Sequence, residues 1–152
     1  MAHDIQRTVH TSWDAASVFA YLLDFATAVE WDSGTVTCAR TAGDGGVGTT
    51  YRNVSRFLGS ETTLDYQVES IDGDHRYVIT GRNKTVTSRD TITVRPTAGG
   101  AEVHYRAEMT FHGFASILSP LLTPFLKKLG DDTADQLKRT LDQKAGPHKS
   151  AR

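Results

Sequence analysis

Seven polar side chains fall on strand faces that otherwise carry apolar residues: Tyr51, Asn53, Ser55, Tyr66, Ser88, Asp90 and Tyr105. A solid core disfavours such a set, because each buried polar group left unpaired costs about 1–3 kcal/mol. A ligand cavity uses a few of them to orient a guest amid apolar walls. Asp90 carries the most chemistry. A carboxylate facing a low-dielectric pocket has its pKa raised unless a donor pairs with it, which suits it to give or take a proton. Arg7, on the inward face of the first strand, is one candidate partner. Asp90, Tyr66 and Asn53 are therefore the candidate catalytic groups. The competing reading of Asp90 is structural: a register slip of one residue turns it to solvent.

Other motifs offer less. "GDGGVG" (Gly43–Gly48) matches the glycine spacing of a dinucleotide loop. That mechanism needs a helix N-terminus to hold the pyrophosphate. The next segment, "TTYRNVSRF", alternates like a strand, so a hairpin turn is the better reading. None of the six histidines stands at zinc-ligand spacing, and no metal and no cofactor are expected. Cys38 has no nucleophile motif around it and reads as a small buried apolar residue.

Positioning these groups requires a particular order of elements. "DIQRTVH" (Asp4–His10) reads as a strand. A helix comes after it, capped by Thr11 or Ser12, with Val18, Phe19, Leu22 and Leu23 as its apolar stripe. A second short helix spans Ala26–Trp31. Six strands come next, with "DGDH" as the strongest hairpin signal. Arginines on alternate positions mark their outer faces, so Tyr51, Tyr66, Asp90, Tyr105 and Met109 point inward. From Ser116 the period becomes helical, with Leu118, Leu122, Phe125 and Leu129 as the stripe, continued by Leu137 and Leu141. Gly130-Asp131-Asp132 is a candidate kink, and a flexible basic tail begins at about residue 144. The expected fold is α+β: a curved seven-stranded antiparallel sheet wrapped around a long C-terminal helix, with two short helices after the first strand.

Bulk properties narrow the function. A length of 152 residues suits a single domain, 1–152. A net charge of −1 argues against nucleic acid as a partner. One cysteine fits a reducing compartment. No apolar run reaches the ~20 residues of a membrane span, and the first ten residues lack a hydrophobic signal region. The expectation is a cytoplasmic protein without stable membrane insertion.

The segments "VFAYLLDFATAVEWDSG", "GGVGTTYRNVSRFLG", "VTSRDTITVRP" and "LSPLLTPFLKKLG" resemble the START-like SRPBCC superfamily, in its polyketide cyclase/dehydrase and lipid transport branch. The resemblance spans about Asp4 to Leu141 and implies the helix-grip fold with a deep cavity for a lipid, polyketide, quinone or similar molecule. On that plan Trp31 caps the cavity mouth while Glu30 and Asp32 stay in water; the competing reading makes Trp31 a plug between helix and sheet. The expected ligand contacts are Trp31, Tyr51, Asn53, Tyr66, Ser88, Asp90, Tyr105, Met109, Leu122 and Phe125. Three functions are open: binding a small hydrophobic ligand, cofactor-independent cyclase, aromatase or dehydratase chemistry on a carbonyl-rich substrate, or docking of a partner protein through the basic C-terminal face. The residues favour the first, since no pair of them has a spacing that demands chemistry.

Overall fold

A computed structural model describes residues 2–146. The chain runs β1 (Ala2–Thr11), α1 (Ala15–Leu23), a 3-10 turn (Phe25–Thr27), α2 (Ala28–Trp31), β2 (Thr35–Ala42), β3 (Thr50–Phe57), β4 (Ser60–Asp72), β5 (Arg76–Arg82), β6 (Val86–Thr97), β7 (Gly100–Phe111), α3 (Ala115–Leu118), a second 3-10 turn (Ser119–Leu122) and α4 (Thr123–Ala145). The seven strands form one antiparallel sheet in the order β1-β7-β6-β5-β4-β3-β2. Strands β2 to β7 are a meander, and β1 closes onto β7. Gly43–Gly48 lies in the connection from β2 to β3, so no helix comes after those glycines. The arrangement is a helix-grip fold.

The alternation of arginine with apolar residues set the strand faces. Val86, Ser88, Asp90, Ile92 and Val94 of β6 are buried on one face, as are Leu64, Tyr66 and Val68 of β4. The opposite face of the sheet carries ion pairs: Arg52–Asp65, Arg56–Glu61, Arg89–Glu69 and Arg106–Asp4. Paired strands lie about 4.8 Å apart, so β1 and β3 would be separated by about 24 Å in a flat sheet. Both nevertheless line one small cavity, so the sheet curls around α4.

Several local expectations are corrected. Asp14, not Thr11 or Ser12, caps α1: its carboxylate accepts from the Ser17 N–H. Thr11 is the last residue of a longer β1 and bonds Asp142 of α4 instead. The C-terminal helix is not continuous from Ser116. The turn at Ser119–Leu122 is 3-10 and holds three residues per turn, so the phase set by Leu118 and Leu122 does not carry into α4. The inward stripe of α4 is Leu126, Thr133, Leu137, Thr140 and Leu141. Phe125 is 47% exposed, against 3% for Leu126. Leu122 is half-buried in the turn.

Gly130 is not a break. It lies inside α4, where a Cβ would stand 2.7 Å from Ile5 Cγ2 and 3.2 Å from Arg7 Nη2. The missing side chain lets α4 approach β1. The helix also runs through residue 144: Lys144 pairs with Glu30 and lies over the Tyr21 ring. The rest of the expected tail, 147–152, falls outside the described residues.

Candidate functional site

Between the inner sheet face and α4 lies a cavity of about 180 Å³. Ile5, Arg7 and Val9 line it from β1, Ser55 and Phe57 from β3, and Leu64 and Tyr66 from β4. Val86 and Ser88 line it from β6, Tyr105, Ala107, Met109 and Phe111 from β7, and Leu126, Leu129, Gly130 and Leu137 from α4. Most of this wall is hydrocarbon.

The register across the sheet explains where the polar groups sit. Tyr66 pairs with Gly81, Gly81 with Ser88, and Ser88 with Met109, so the four form one row on one face. A Cβ at Gly81 would fall 2.5 Å from the Tyr66 ring. The glycine thus leaves room for that ring to cross β5, and the Tyr66 phenol adjoins the Ser88 hydroxyl. Ser88 Oγ donates to Asp90 Oδ1 at 2.8 Å, and Tyr105 Oη donates to Asp90 Oδ2 at 3.2 Å. Asp90 is 2% exposed and sits behind the wall, reached from the cavity through those two hydroxyls. Burial pushes its carboxyl up to about 7, against the two hydrogen bonds, and the negative charge of Asp32 adds to the rise. Arg7 is not its partner. The Arg7 guanidinium instead donates to Asp131 at 2.8 Å and to the Lys127 carbonyl at 3.0 Å.

The ionised groups on the wall all have protein partners. Arg7 has Asp131, and Arg56, whose side chain lies on the outer face of the sheet, has Glu61 at 2.7 Å. Asp32, expected in water, lines the cavity and accepts from Thr35 Oγ1 at 2.7 Å and Thr133 Oγ1 at 3.0 Å. Both arginines are thus ion-paired, while the Asp32 carboxylate is hydrogen-bonded by hydroxyls.

Of the expected ligand contacts, the structure brings Tyr66, Ser88, Tyr105 and Met109 to the cavity. Trp31 does not cap its mouth. It is 1% exposed, donates from Nε1 to Thr27 Oγ1 at 3.1 Å, and packs edge-on to Phe25 at 6.2 Å and Tyr105 at 5.8 Å. It is the plug behind Tyr105. Tyr51 is buried edge-on to the Phe25 ring at 5.9 Å, beneath the 3-10 turn. Asn53 is consumed structurally, donating to Thr35 Oγ1 at 3.0 Å and accepting from Ser55 Oγ at 2.6 Å. Leu122 and Phe125 are off the wall because α4 is rotated relative to the turn before it. Cys38 is only half-buried. Its thiol donates to the Phe25 carbonyl at 3.3 Å, and burial pushes its pKa up to about 11. Arg7, Asp32 and Leu126 are wall residues that the sequence reading left out of the site. Leu64, Val86, Ala107 and Phe111 already carried the inward alternation that marks them.

Among solved structures, the chain is similar to the Zhui aromatase/cyclase of Streptomyces sp. R1128, over 97% of this chain and 98% of that one, with TM-score 0.81 and 8% identity. It is similar to a START superfamily protein from Mycobacterium smegmatis over 94% and 97% of the two chains, with TM-score 0.70 and 15% identity. It also matches part of the di-domain ARO/CYC StfQ of the steffimycin biosynthetic pathway: 96% of this chain aligns with 53% of that one, at TM-score 0.72 and 13% identity. At such identities the likeness speaks for the fold. No curated protein matches the chain. The family model for polyketide cyclase / dehydrase and lipid transport proteins, however, matches residues 2–142, and the chain, with seven strands gripping one helix over an apolar cavity, belongs to that family.

Proposed function

We propose that the protein binds a compact, uncharged, largely apolar small molecule in the cavity between the sheet and α4. The cavity itself carries this reading: about 180 Å³ with a mostly hydrocarbon wall, its arginines ion-paired and its one lining carboxylate among the described residues, Asp32, hydrogen-bonded by hydroxyls. An apolar void of ~150 Å³ holds one benzene, whereas drug-sized ligands occupy about 300–1,000 Å³. The volume thus suits one or two fused rings rather than an extended lipid or a long polyketone. Cyclase chemistry is the weaker reading. Asp90 has the proton affinity for it, but among the described residues no carboxylate other than Asp32 lines the cavity. The basic C-terminal face gives little support to partner docking, since Lys128, Lys138 and Lys144 are tied to Asp132, Asp142 and Glu30.

The test is native mass spectrometry of freshly purified protein, followed by solvent extraction and by uptake of small aromatic hydrocarbons. Retention or uptake of one such guest is expected. Ala107→Phe, which places a ring inside the wall, should remove it while leaving the fold intact. Uptake that is undiminished in Ala107→Phe, or no uptake by the parent protein, would refute the reading.

A further inference from the structure

The polar floor of the cavity has a direction, set by where its hydroxyl protons go. The Ser88 and Tyr105 hydroxyls each carry one hydrogen, and each donates it to an oxygen of Asp90. Tyr66 lies beside Ser88 in the same cross-strand row. Two hydroxyl hydrogens therefore run towards one carboxylate behind the wall. What Ser88 and Tyr105 have left to offer the cavity they line is oxygen lone pairs. A ketone placed against these two oxygens finds acceptors facing its own acceptor, whereas a hydroxyl finds partners for its hydrogen.

We infer that the cavity selects a compact aromatic guest bearing a hydroxyl over the matching ketone, and that Asp90 sets this preference by holding the hydrogens of Ser88 and Tyr105. The inference rests on the cavity-binding function proposed for the protein and adds the chemical class of its guest. Asp90 acts as a positioning residue: it touches the two hydroxyls and no guest.

The arrangement reverses when Asp90 gains a proton. A carboxylic acid donates its own hydrogen to one of the two hydroxyls, which frees that hydroxyl to turn its hydrogen into the cavity. Asp32 after α2 acts on Asp90 by its charge, and the Asp90 charge in turn raises Tyr105 of β7, Tyr66 of β4 and Tyr77 of β5. Burial pushes all three tyrosines above their ordinary value of 10.0, so none of them loses its proton near neutral pH. Asp90, with its carboxyl pushed up to about 7, changes state across that range.

Three probes of nearly equal shape test the inference: indane, 1-indanol and 1-indanone, titrated calorimetrically at pH 8.5 and pH 5.5. Indane reports the cavity alone. At pH 8.5 the alcohol is expected to bind about tenfold more tightly than the ketone, the scale of one well-made hydrogen bond against one unmet acceptor. At pH 5.5 that ratio should fall towards one. In Asp90→Asn the amide hydrogens must point at a hydroxyl oxygen, so the ratio should be low and independent of pH. Ser88→Ala, which removes one acceptor and little volume, should lower the ratio at pH 8.5 and serves if the Asn variant folds poorly. If indane binds while the alcohol shows no advantage, or if the ratio ignores both pH and Ser88→Ala, the inference is overturned and the cavity reading survives. If none of the three binds, both fall.

Discussion

Asp90 also taxes the fold that holds it, and the sign of that effect is open to measurement. Burial raises its pKa from the ordinary 3.8 to about 7 in the folded chain. Below pH 3.8 the carboxyl is protonated in both states and contributes nothing. Between about 4 and 7 the folded chain keeps a proton that the unfolded chain has released, so stability falls as pH rises. Above about 7 the loss is complete. Asp90→Asn carries no such charge. Urea unfolding of parent and variant should therefore diverge in favour of the variant by about 2–3 kcal/mol between pH 5 and pH 8, at 1.36 kcal/mol per unit. A flat difference would mean that Asp90 ionises in the fold as it does in the open chain. The comparison cancels groups that act the other way, such as Asp4, whose carboxyl is held down by its hydrogen bond to Arg106. Trp31 belongs to the same neighbourhood as scaffold: edge-on to Tyr105, it backs the ring whose hydroxyl reaches Asp90.

α4 is the element whose register decides the wall. Leu126→Ala should cost about 2–5 kcal/mol, since a fully buried Leu leaves its volume behind. Phe125→Ala should cost under about 1 kcal/mol, because that ring is 47% exposed. Equal losses in denaturant titrations would place the helix one residue out of this register. Gly130→Ala sets two effects against each other. Alanine gains about 1 kcal/mol of helix propensity, but its Cβ would stand 2.7 Å from the stiff, branched Ile5 side chain. Overpacking of this kind typically costs about 1–3 kcal/mol, so the variant should melt lower. A higher melting temperature would show that β1 yields easily. These contrasts also mark what was legible in the sequence. The strand faces were, because arginines such as Arg89 and Arg95 alternate with apolar residues and a period of two leaves one choice of side. Tyr66, Ser88 and Tyr105 reached the cavity for that reason. The phase of α4 was not, because the 3-10 turn containing Pro120 resets it without a signal in the apolar spacing. Tyr51 and Asn53 were placed on the correct face but not in the site. The Phe25–Thr27 turn covers that end of the sheet, and which element covers a face is a tertiary fact that alternation does not record.

A cavity lined by elements from both ends of the chain couples binding to the stability of the whole molecule. β1 pairs with β7 across about a hundred residues, and α4 is fastened to β1 by Arg7–Asp131, Thr11–Asp142 and the bond from Lys138 to the His10 carbonyl. It is fastened to the end of α2 as well, where Gln136 and Thr140 both donate to the Glu30 carbonyl. Wall residues come from β1, β3, β4, β6, β7 and α4, so unfolding any of these elements destroys the site. A guest that binds only this closed state must stabilise all of them together. At a concentration one hundred times its Kd the gain is about 2.7 kcal/mol, which for a chain of this size should raise the melting temperature by roughly 5–10 °C. Hydrogen exchange should then slow in concert in β1, β6, β7 and α4. The α3 segment should change little: Phe114, Ile117 and Leu118 are exposed there and form no part of the wall. The opposite pattern, with slowing confined to α3 and its exposed side chains, would show the probe sitting on the outside of the molecule. The stabilisation would then owe nothing to the grip of sheet on helix.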